Sequence, residues 1–208
     1  MKAKIIFLSL LVSAALVSCS KAGDLTVQKA MDEYKRQNYD NALSLFMQAS
    51  EEETNYSRET LYTFISTIYT MQEEYEKAID FQKKSLELKK DYRTIISLAM
   101  NYHLLKKDNE AESVYKDAIA LAPKKAEAYA MLGALYLGQD NTARAIENLE
   151  KAREITPQLS VVHANLAVAY AKAGDFDKSD ESIAKAKELK CENIEIFMQR
   201  IKEIKEQK

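Results

Sequence analysis

The sequence predicts an all-α protein made of stacked helical hairpins, and both composition and periodicity support this. The chain of 208 residues has only four glycines and two prolines, which is few for a protein rich in strands or loops. Small residues follow turn-like pieces at intervals of 33 to 36 residues, at Ala42, Ala78, Ala111, Ala145 and Ser179. A period of this length is typical of repeat proteins, in which each hairpin buries its apolar face only against its neighbours.

The first residues have the pattern of a secretory signal. Two lysines precede residues 5–17, which are apolar apart from two serines. This run is shorter than the ~20 apolar residues that span a bilayer, so it fits the hydrophobic core of a signal peptide. The motif LVSC, which ends at Cys19, resembles a bacterial lipobox. The resemblance implies that residues 1–18 are removed and that Cys19 is acylated. The alternative is an ordinary signal peptide with a cysteine nearby by chance.

An acylated Cys19 predicts a protein of the bacterial cell envelope. Two or three acyl chains on one residue give stable membrane anchoring, and residues 19–23 would be the lipidated cysteine and a short tether. Ser20 and Lys21 are not the aspartate that favours retention at the inner membrane. The expected location is therefore the outer membrane, facing the periplasm, with exposure at the cell surface as a further possibility.

The repeats keep large and small residues in a fixed order. The repeat that starts at Ala126 has Tyr129, Leu132, Gly133, Tyr136, Ala145, Leu149, Ala152 and Pro157. This order is similar to the pattern of the tetratricopeptide-repeat (TPR) family, although Leu149 stands where the family has an aromatic residue. The resemblance implies a right-handed superhelical solenoid of about five helix-turn-helix units. Their expected bounds are 24–55, 59–91, 92–125, 126–159 and 160–193.

The last residues, 194–208, predict a capping helix. Ile194, Phe197, Ile201 and Ile204 follow a spacing of three and four residues, which places them in one apolar stripe on a helix. Charged residues occupy the other faces. The stripe is expected to cover the last repeat, as terminal caps of repeat arrays do, although a stripe of this kind could instead bind a membrane.

Four threonines predict the wall of a binding groove. Thr60, Thr63, Thr67 and Thr70 lie within an arc of about 80° on a helix. In TPR proteins the positions that they occupy face the concave groove, so the resemblance implies that they contact a partner; the alternative is a solvated helix face. The corresponding groove residues in later repeats are Arg93, Ile96, Met100, His103, Glu127, Ala134, Leu137, Asn165 and Val168.

The groove residues narrow the class of partner. Some TPR proteins hold a C-terminal carboxylate with lysine, asparagine and arginine at fixed positions. Here those positions are Ile96, Met100, Met131, Val161 and Asn165, which argues against binding of chaperone tails. An apolar groove with Met100 and Leu137 suits an amphipathic helix or an extended apolar peptide. Another helix, another subunit or tight curvature of the array could also fill it.

The sequence gives little sign of catalysis, cofactor binding or metal binding. The chain has two histidines, a net charge of −2 and no basic excess of the kind that binds nucleic acid. His163 stands at an aromatic packing position and His103 is isolated in the groove. Metalloprotease, dithiol, phosphate-loop and serine-hydrolase motifs are absent. The remaining cysteine, Cys191, is expected to be a small apolar residue of the interior.

These observations predict a non-enzymatic scaffold without a cofactor. The expected protein is a membrane-anchored lipoprotein of a bacterial cell-envelope complex that binds a peptide or helix of an envelope protein in its concave groove. The alternative is a ligand-binding component associated with an envelope transporter. A hydrophobic molecule found on the purified protein would favour the alternative, whereas a co-purifying protein would favour the scaffold.

Overall fold

The structure is a computed structural model that describes residues 21–207. These residues form eleven α-helices and contain no β-strand. The helices are α1 (Ala22–Lys35), α2 (Tyr39–Glu51), α3 (Arg58–Met71), α4 (Tyr75–Leu88), α5 (Tyr92–Leu104), α6 (Asp108–Leu121), α7 (Ala126–Gly138), α8 (Thr142–Ile155), α9 (Ser160–Ala173), α10 (Phe176–Glu188) and α11 (Ile194–Glu206). The predicted all-helical class is confirmed.

The turns between the paired helices share one geometry. A residue with positive φ follows the first helix of each pair: Gln37 (64°), Glu73 (61°), Lys106 (60°), Asp140 (59°) and Gly174 (86°). The next residue donates its backbone N–H to the carbonyl oxygen five residues earlier, at 2.9–3.0 Å in all five turns. In four of them the acceptor is the repeat's tyrosine: Tyr69, Tyr102, Tyr136 or Tyr170. This bond satisfies a carbonyl that the helix end leaves without an intrahelical partner.

The chain divides into two compact units, of which the described parts are 21–94 and 95–207. In the first unit, α1 packs on α2, α2 on α3, and α3 on α4. Its core contains the fully buried side chains Val27, Phe46, Leu61, Ile65 and Ile68 together with four alanines. Each large apolar side chain contributes roughly 1.5–3 kcal/mol when fully buried, and the alanines let the helices approach closely.

In the second unit, α7 pairs with α8, and α9 pairs with α10. Gly133 of α7 lies against α8, where an added Cβ would stand 2.6 Å from Leu149 Cγ and 3.2 Å from the carbonyl oxygen of Ala145. The contact of 2.6 Å would force Leu149 or the backbone of one helix to shift, which is the destabilising effect of overpacking. Glycine is therefore the residue that permits this close crossing, in agreement with the small residue of the repeat pattern.

Helix α11 packs on α9 and α10. Ile194 and Phe197 lie against a cluster of Ala164, Ala186 and Cys191, and Ile201 is buried. At the polar edge, Lys205 Nζ donates to both carboxylate oxygens of Asp180, at 2.8 and 3.0 Å. The apolar stripe of the last helix thus faces the preceding hairpin.

Candidate functional site

Three of the four threonines of α3 donate their hydroxyl protons to carbonyl oxygens of the same helix. Thr63 Oγ1 donates to the carbonyl oxygen of Glu59 at 2.8 Å, Thr67 Oγ1 to that of Thr63 at 2.8 Å, and Thr70 Oγ1 to that of Ser66 at 3.0 Å. A hydroxyl has one donor and two acceptor lone pairs. With the proton used in this way, the face offers acceptor oxygens and methyl groups to anything that binds there.

Three of the four predicted threonines line a cleft of about 330 Å³ in the first unit. They are Thr60, Thr63 and Thr67; Thr70 lies outside the lining. The other lining residues are Tyr34, Glu59, Phe64, Ser85, Lys89, Asp91 and Thr94. The cleft thus combines side chains of α1, α3, α4 and α5 with two residues of the segment between α4 and α5.

Two aromatic rings form one wall of this cleft. Tyr34 meets Phe64 edge to face, with 6.4 Å between the ring centroids. Phe64 in turn stacks on Phe46, with 4.9 Å between the centroids and 2° between the planes. Because Phe46 is fully buried, the wall is fixed to the core of the first unit. Edge-to-face and stacked pairs each stabilise by about 0.5–1.5 kcal/mol beyond the area they bury.

Hydrogen bonds tie the floor of the cleft to α4. Ser85 Oγ donates to the carbonyl oxygen of Glu59 at 2.9 Å and lies 3.2 Å from Thr63 Oγ1. The carbonyl of Glu59 therefore accepts from both hydroxyls, and each of its lone pairs has a partner. A typical bond of this kind contributes about 0.5–1.5 kcal/mol. The floor is consequently preorganised, which lowers the entropy lost when a ligand binds.

The rim of the cleft carries Glu59, Lys89 and Asp91. Asp91 Oδ1 accepts from the backbone N–H of Thr94 at 2.9 Å and from Thr94 Oγ1 at 3.1 Å, which caps the start of α5. Partial burial raises the pKa of the Asp91 carboxyl, but the hydrogen bonds from Thr94 and the charge of Arg93 outweigh it and leave that pKa below its ordinary value. Asp91 is therefore an anionic, oriented group at the rim.

The other predicted groove residues differ in accessibility. Arg93, Met100 and Glu127 are exposed, and His103, Ala134 and Asn165 are partly exposed. Ile96, Leu137 and Val168 are instead buried, with exposed fractions of 4%, 2% and 0%. In this conformation a partner cannot reach those three side chains. That the accessible residues contact a partner stays a prediction.

Two groove positions have structural partners. His103 Nδ1 lies 2.8 Å from Asp108 Oδ1, which orients the ring at the turn between α5 and α6. In the fifth repeat, Ala164 lies four residues before Val168 and so on the same face of α9, and it belongs to the core cluster that α11 covers. The groove face of α9 is therefore partly internal, because the helix that follows the last hairpin packs on it.

His163 and Cys191 have structural surroundings. His163 is buried, and its Nε2 lies 2.8 Å from the carbonyl oxygen of Pro157. Cys191 is a buried free thiol that donates to the carbonyl oxygen of Glu192 at 3.4 Å. Both fit the interior roles that the sequence predicts.

Among residues 21–207, no three metal-ligating side chains form a cluster. The helices of the same residues also contain no apolar stretch of the length that a membrane span requires.

The lipidation prediction falls on Cys19, which lies outside the described residues. The described chain begins at Lys21, and α1 begins one residue later. Acylation of Cys19 and removal of residues 1–18 therefore stay predictions.

Most of the residues around the cleft were missed by sequence reasoning. Tyr34, Ser85 and Asp91 belong to three different helices or connections, so no local period joins them to the threonines. Phe64 carried a usable signal, since it is a large aromatic residue next to the threonine stripe and outside the packing positions of the repeat.

Models of one repeat family match more than half of the chain. Two models, both described as tetratricopeptide repeat, match residues 59–92, 92–125 and 161–191 in one case and 114–147 in the other. A curated relative, protein O-mannosyl-transferase TMTC1 from Homo sapiens, is 31% identical over 111 residues. The matched segment is 51% of this chain but only 13% of the human protein.

Solved structures share the fold at low sequence identity. A tetratricopeptide repeat protein from Parabacteroides merdae has a TM-score of 0.76 and 19% identity, covering 86% of this chain and 70% of its own. MamA from Desulfovibrio magneticus has a TM-score of 0.71 and 21% identity over 81% and 95% of the two chains. YrrB, described as a TPR protein with an unusual peptide-binding site, has a TM-score of 0.67 and 20% identity over 86% and 90%.

Proposed function

The chain belongs to the tetratricopeptide-repeat family, and from this premise we propose that it is a membrane-anchored scaffold that binds a segment of a partner protein in the cleft along α3. The observation that carries the proposal is the preorganised cleft of about 330 Å³ at Thr60, Thr63 and Thr67. The proposed role is non-enzymatic. The human transferase does not argue otherwise, since only 13% of it is matched.

The chemistry of the cleft suits an extended peptide. The hydroxyls of Thr63 and Thr67 already donate to backbone carbonyls, so they can accept from the N–H groups of a bound chain. Tyr34 and Phe64 supply an aromatic wall for an apolar side chain. Backbone bonds with pockets for alternate side chains are a recurring mode of peptide recognition. The peptide-binding site named for YrrB supports the proposal by analogy of fold.

The membrane part of the proposal depends on Cys19. Acylation there would hold the repeats in the bacterial cell envelope, with the outer membrane and its periplasmic face as the proposed location. The partner is then a protein of the same compartment. Cell fractionation with metabolic labelling by palmitate tests this part: the parent should carry label and sediment with membranes, and Cys19→Ser should do neither. Unlabelled parent protein would refute the anchor.

A photo-crosslinking amino acid at Thr67 tests the cleft in living cells. We expect a discrete crosslinked protein, because Thr67 lines the cleft and is exposed. A probe at Glu76, an exposed residue of α4 outside the lining, is the matched control and should give no such band. Adding Thr63→Arg should fill the cleft and remove the band. Ser44→Arg, on the exposed face of α2, should leave it unchanged.

The crosslinking experiment also distinguishes the scaffold function from the alternative, a ligand-binding component associated with a transporter. Equal bands from Thr67 and Glu76 would contradict a cleft-specific partner. If neither probe gives a band while the folded protein carries a small molecule in native mass spectrometry, the ligand-binding function replaces the scaffold. A volume of about 330 Å³ lies at the lower end of the ~300–1,000 Å³ range of small-molecule pockets, so this outcome is a real competitor.

A further inference from the structure

We propose that the surface where α1 begins rests on the lipid bilayer, so that the first hairpin has a defined membrane-facing side. The inference rests on the proposed acylation of Cys19. The surface, here called the anchor-proximal cleft, has a volume of about 720 Å³ and is lined by Asp24, Leu25, Gln28, Met31, Asn55 and Tyr56, with Asp32 and Lys35 beside them.

The apolar side chains of this cleft are open to solvent. Leu25 is 58% exposed and Tyr56 is 39% exposed, and Met31 is partly exposed between them. Leu25 lies in the first turn of α1, and Tyr56 lies just before α3 begins. An exposed leucine beside a tyrosine suits a membrane interface, where the phenol ring can lie in apolar surroundings while its hydroxyl remains in water.

The short segment between Cys19 and α1 keeps the anchor-proximal cleft close to the membrane. Cys19 precedes the first residue of α1, Ala22, by three positions. Three extended residues reach at most about 11 Å, and three further residues of helix add about 4.5 Å. An acylated Cys19 therefore keeps Leu25 within about 15 Å of the lipid headgroups. Among the described residues, Leu25 is the large exposed apolar side chain nearest to the anchor along the chain.

The start of α1 cannot swing freely on its tether. The Asp24 carboxylate accepts from the Lys21 backbone N–H at 3.0 Å, from Thr54 Oγ1 at 2.7 Å, and from the backbone and side-chain nitrogens of Asn55 at 2.7 and 2.6 Å. The N–H of Gly23 donates to the carbonyl oxygen of Glu53 at 3.0 Å. An added Cβ at Gly23 would lie 2.9 Å from that oxygen, so the approach needs glycine. The anchor thus pulls on a fixed surface.

The charged groups around the anchor-proximal cleft do not favour one orientation on the membrane, so the apolar contact must determine it. The lining carries Asp24, Asp32 and Lys35, and the adjacent Lys21, which precedes α1, brings the formal charge of these four groups to zero. A surface without net charge is neither drawn to nor repelled by anionic lipids. We therefore expect contact that is the same at low and high salt, as burial of Leu25 and Tyr56 would give.

Fluorescence quenching by lipid tests the proposal directly. The chain has no tryptophan, so Leu25→Trp introduces a single fluorophore at an exposed site. The full-length acylated protein is reconstituted into phosphatidylcholine–phosphatidylglycerol vesicles with or without brominated acyl chains. We expect the emission of the Trp at position 25 to shift to shorter wavelength and to lose most of its intensity with brominated lipid, at low and high salt alike.

A matched variant and a fractionation control make the outcome decisive. The matched variant is Met71→Trp, at the last residue of α3 in the same unit. Met71 is 47% exposed, and a tryptophan there should be quenched little. Equal quenching at both positions, or none at position 25 in protein that sediments with vesicles, overturns the proposal. So does a blue shift that follows protein concentration instead of brominated lipid, since a second copy would then cover the cleft. Failure of palmitate labelling would instead refute the anchor itself.

Discussion

The threonines of α3 show how single residues can serve both a helix and a binding surface. Threonine has a restricted χ1 and is a mediocre helix former, but its Oγ1 can bond to a backbone carbonyl one turn earlier. Thr63, Thr67 and Thr70 all make this bond. The protons of these three hydroxyls are then unavailable, so a ligand group that bonds to them must bring its own donor. A partner backbone does so, whereas a carboxylate group does not.

Asp24 provides a prediction at the same scale. Its hydrogen bonds from Asn55, Thr54 and Lys21 outweigh the effect of burial and lower its pKa from 3.8 to about 2. Because the folded pKa lies below the unfolded value, the carboxylate stabilises the fold fully above about pH 4, and this contribution is lost as the pH falls towards 2. Asp24→Asn should therefore lower the melting temperature near neutral pH and have a diminishing effect in acid.

Thermal unfolding between pH 7 and pH 2 measures this difference. Asp80→Asn, at an exposed position of α4 in the same unit, is the control and should differ little from the parent at each pH. A constant gap between the parent and Asp24→Asn across the whole range would show that the carboxylate charge is not what stabilises the start of α1.

Gly133 and Leu149 predict a coupling between two residues. Gly133→Ala places a methyl group 2.6 Å from Leu149 Cγ, so we expect a loss of roughly 1–3 kcal/mol from overpacking. Leu149→Ala alone should cost about 2–5 kcal/mol, because its side chain is fully buried. In the double variant the smaller residue at 149 makes room for the new methyl. The summed loss should therefore exceed that of the double variant in urea unfolding, and simple additivity would contradict the close crossing.

At the scale of elements, the hairpin turns use one backbone geometry with different residues. Four of the five turns place a residue other than glycine at positive φ, and Gly174 occupies the fifth. The left-handed conformation strains a residue with a Cβ by about 1–2 kcal/mol. The bond to the carbonyl oxygen five residues earlier persists in every turn despite this strain. The recurring bond thus accompanies the left-handed residue whether or not that residue is glycine.

Three substitutions test how much the left-handed conformation strains the turns. Lys106→Gly should raise the free energy of unfolding by about 0.5–1 kcal/mol, because relief of the strain exceeds the added entropy of the unfolded chain. Gly174→Ala should lower it by a similar amount for the opposite reason. Lys106→Ala retains the Cβ and should bring no gain. Urea unfolding of the three variants measures the effects, and stabilisation by Lys106→Ala would show that the lysine side chain, not the backbone, is responsible.

The helices were predictable from sequence to the extent that their signals are local. The repeat period predicted that its recurring small residues lie in packed helices, and the structure buries all five of them: Ala42, Ala78, Ala111, Ala145 and Ser179. The first hairpin follows the same rule, since Ala42, Phe46 and Ala49 reach its core. Burial of Leu137 and Val168 was not predictable in this way. It depends on how neighbouring helices pack, which a repeat pattern does not encode.

At the scale of the whole molecule, the candidate site was predictable only in part. A helical period was enough to group Thr60, Thr63 and Thr67, and the structure brings these three to one cleft. The remaining wall comes from residues distant in sequence, such as Tyr34 and Ser85, and long-range neighbours of this kind follow only from the tertiary fold. That the accessible groove positions of the later repeats, such as Met100 and Glu127, contact a partner stays a prediction.

The hydrogen bonds around Asp24 also have a mechanical consequence. Tension on the N-terminus enters the described fold at Lys21 and must separate the start of α1 from segment 53–55 before it can unwind the helix. These bonds join segments about 30 residues apart and would break together, not one after another. Tension on the N-terminus is therefore resisted first by the hydrogen bonds between the first turn of α1 and segment 53–55, and only afterwards by the rest of the helix.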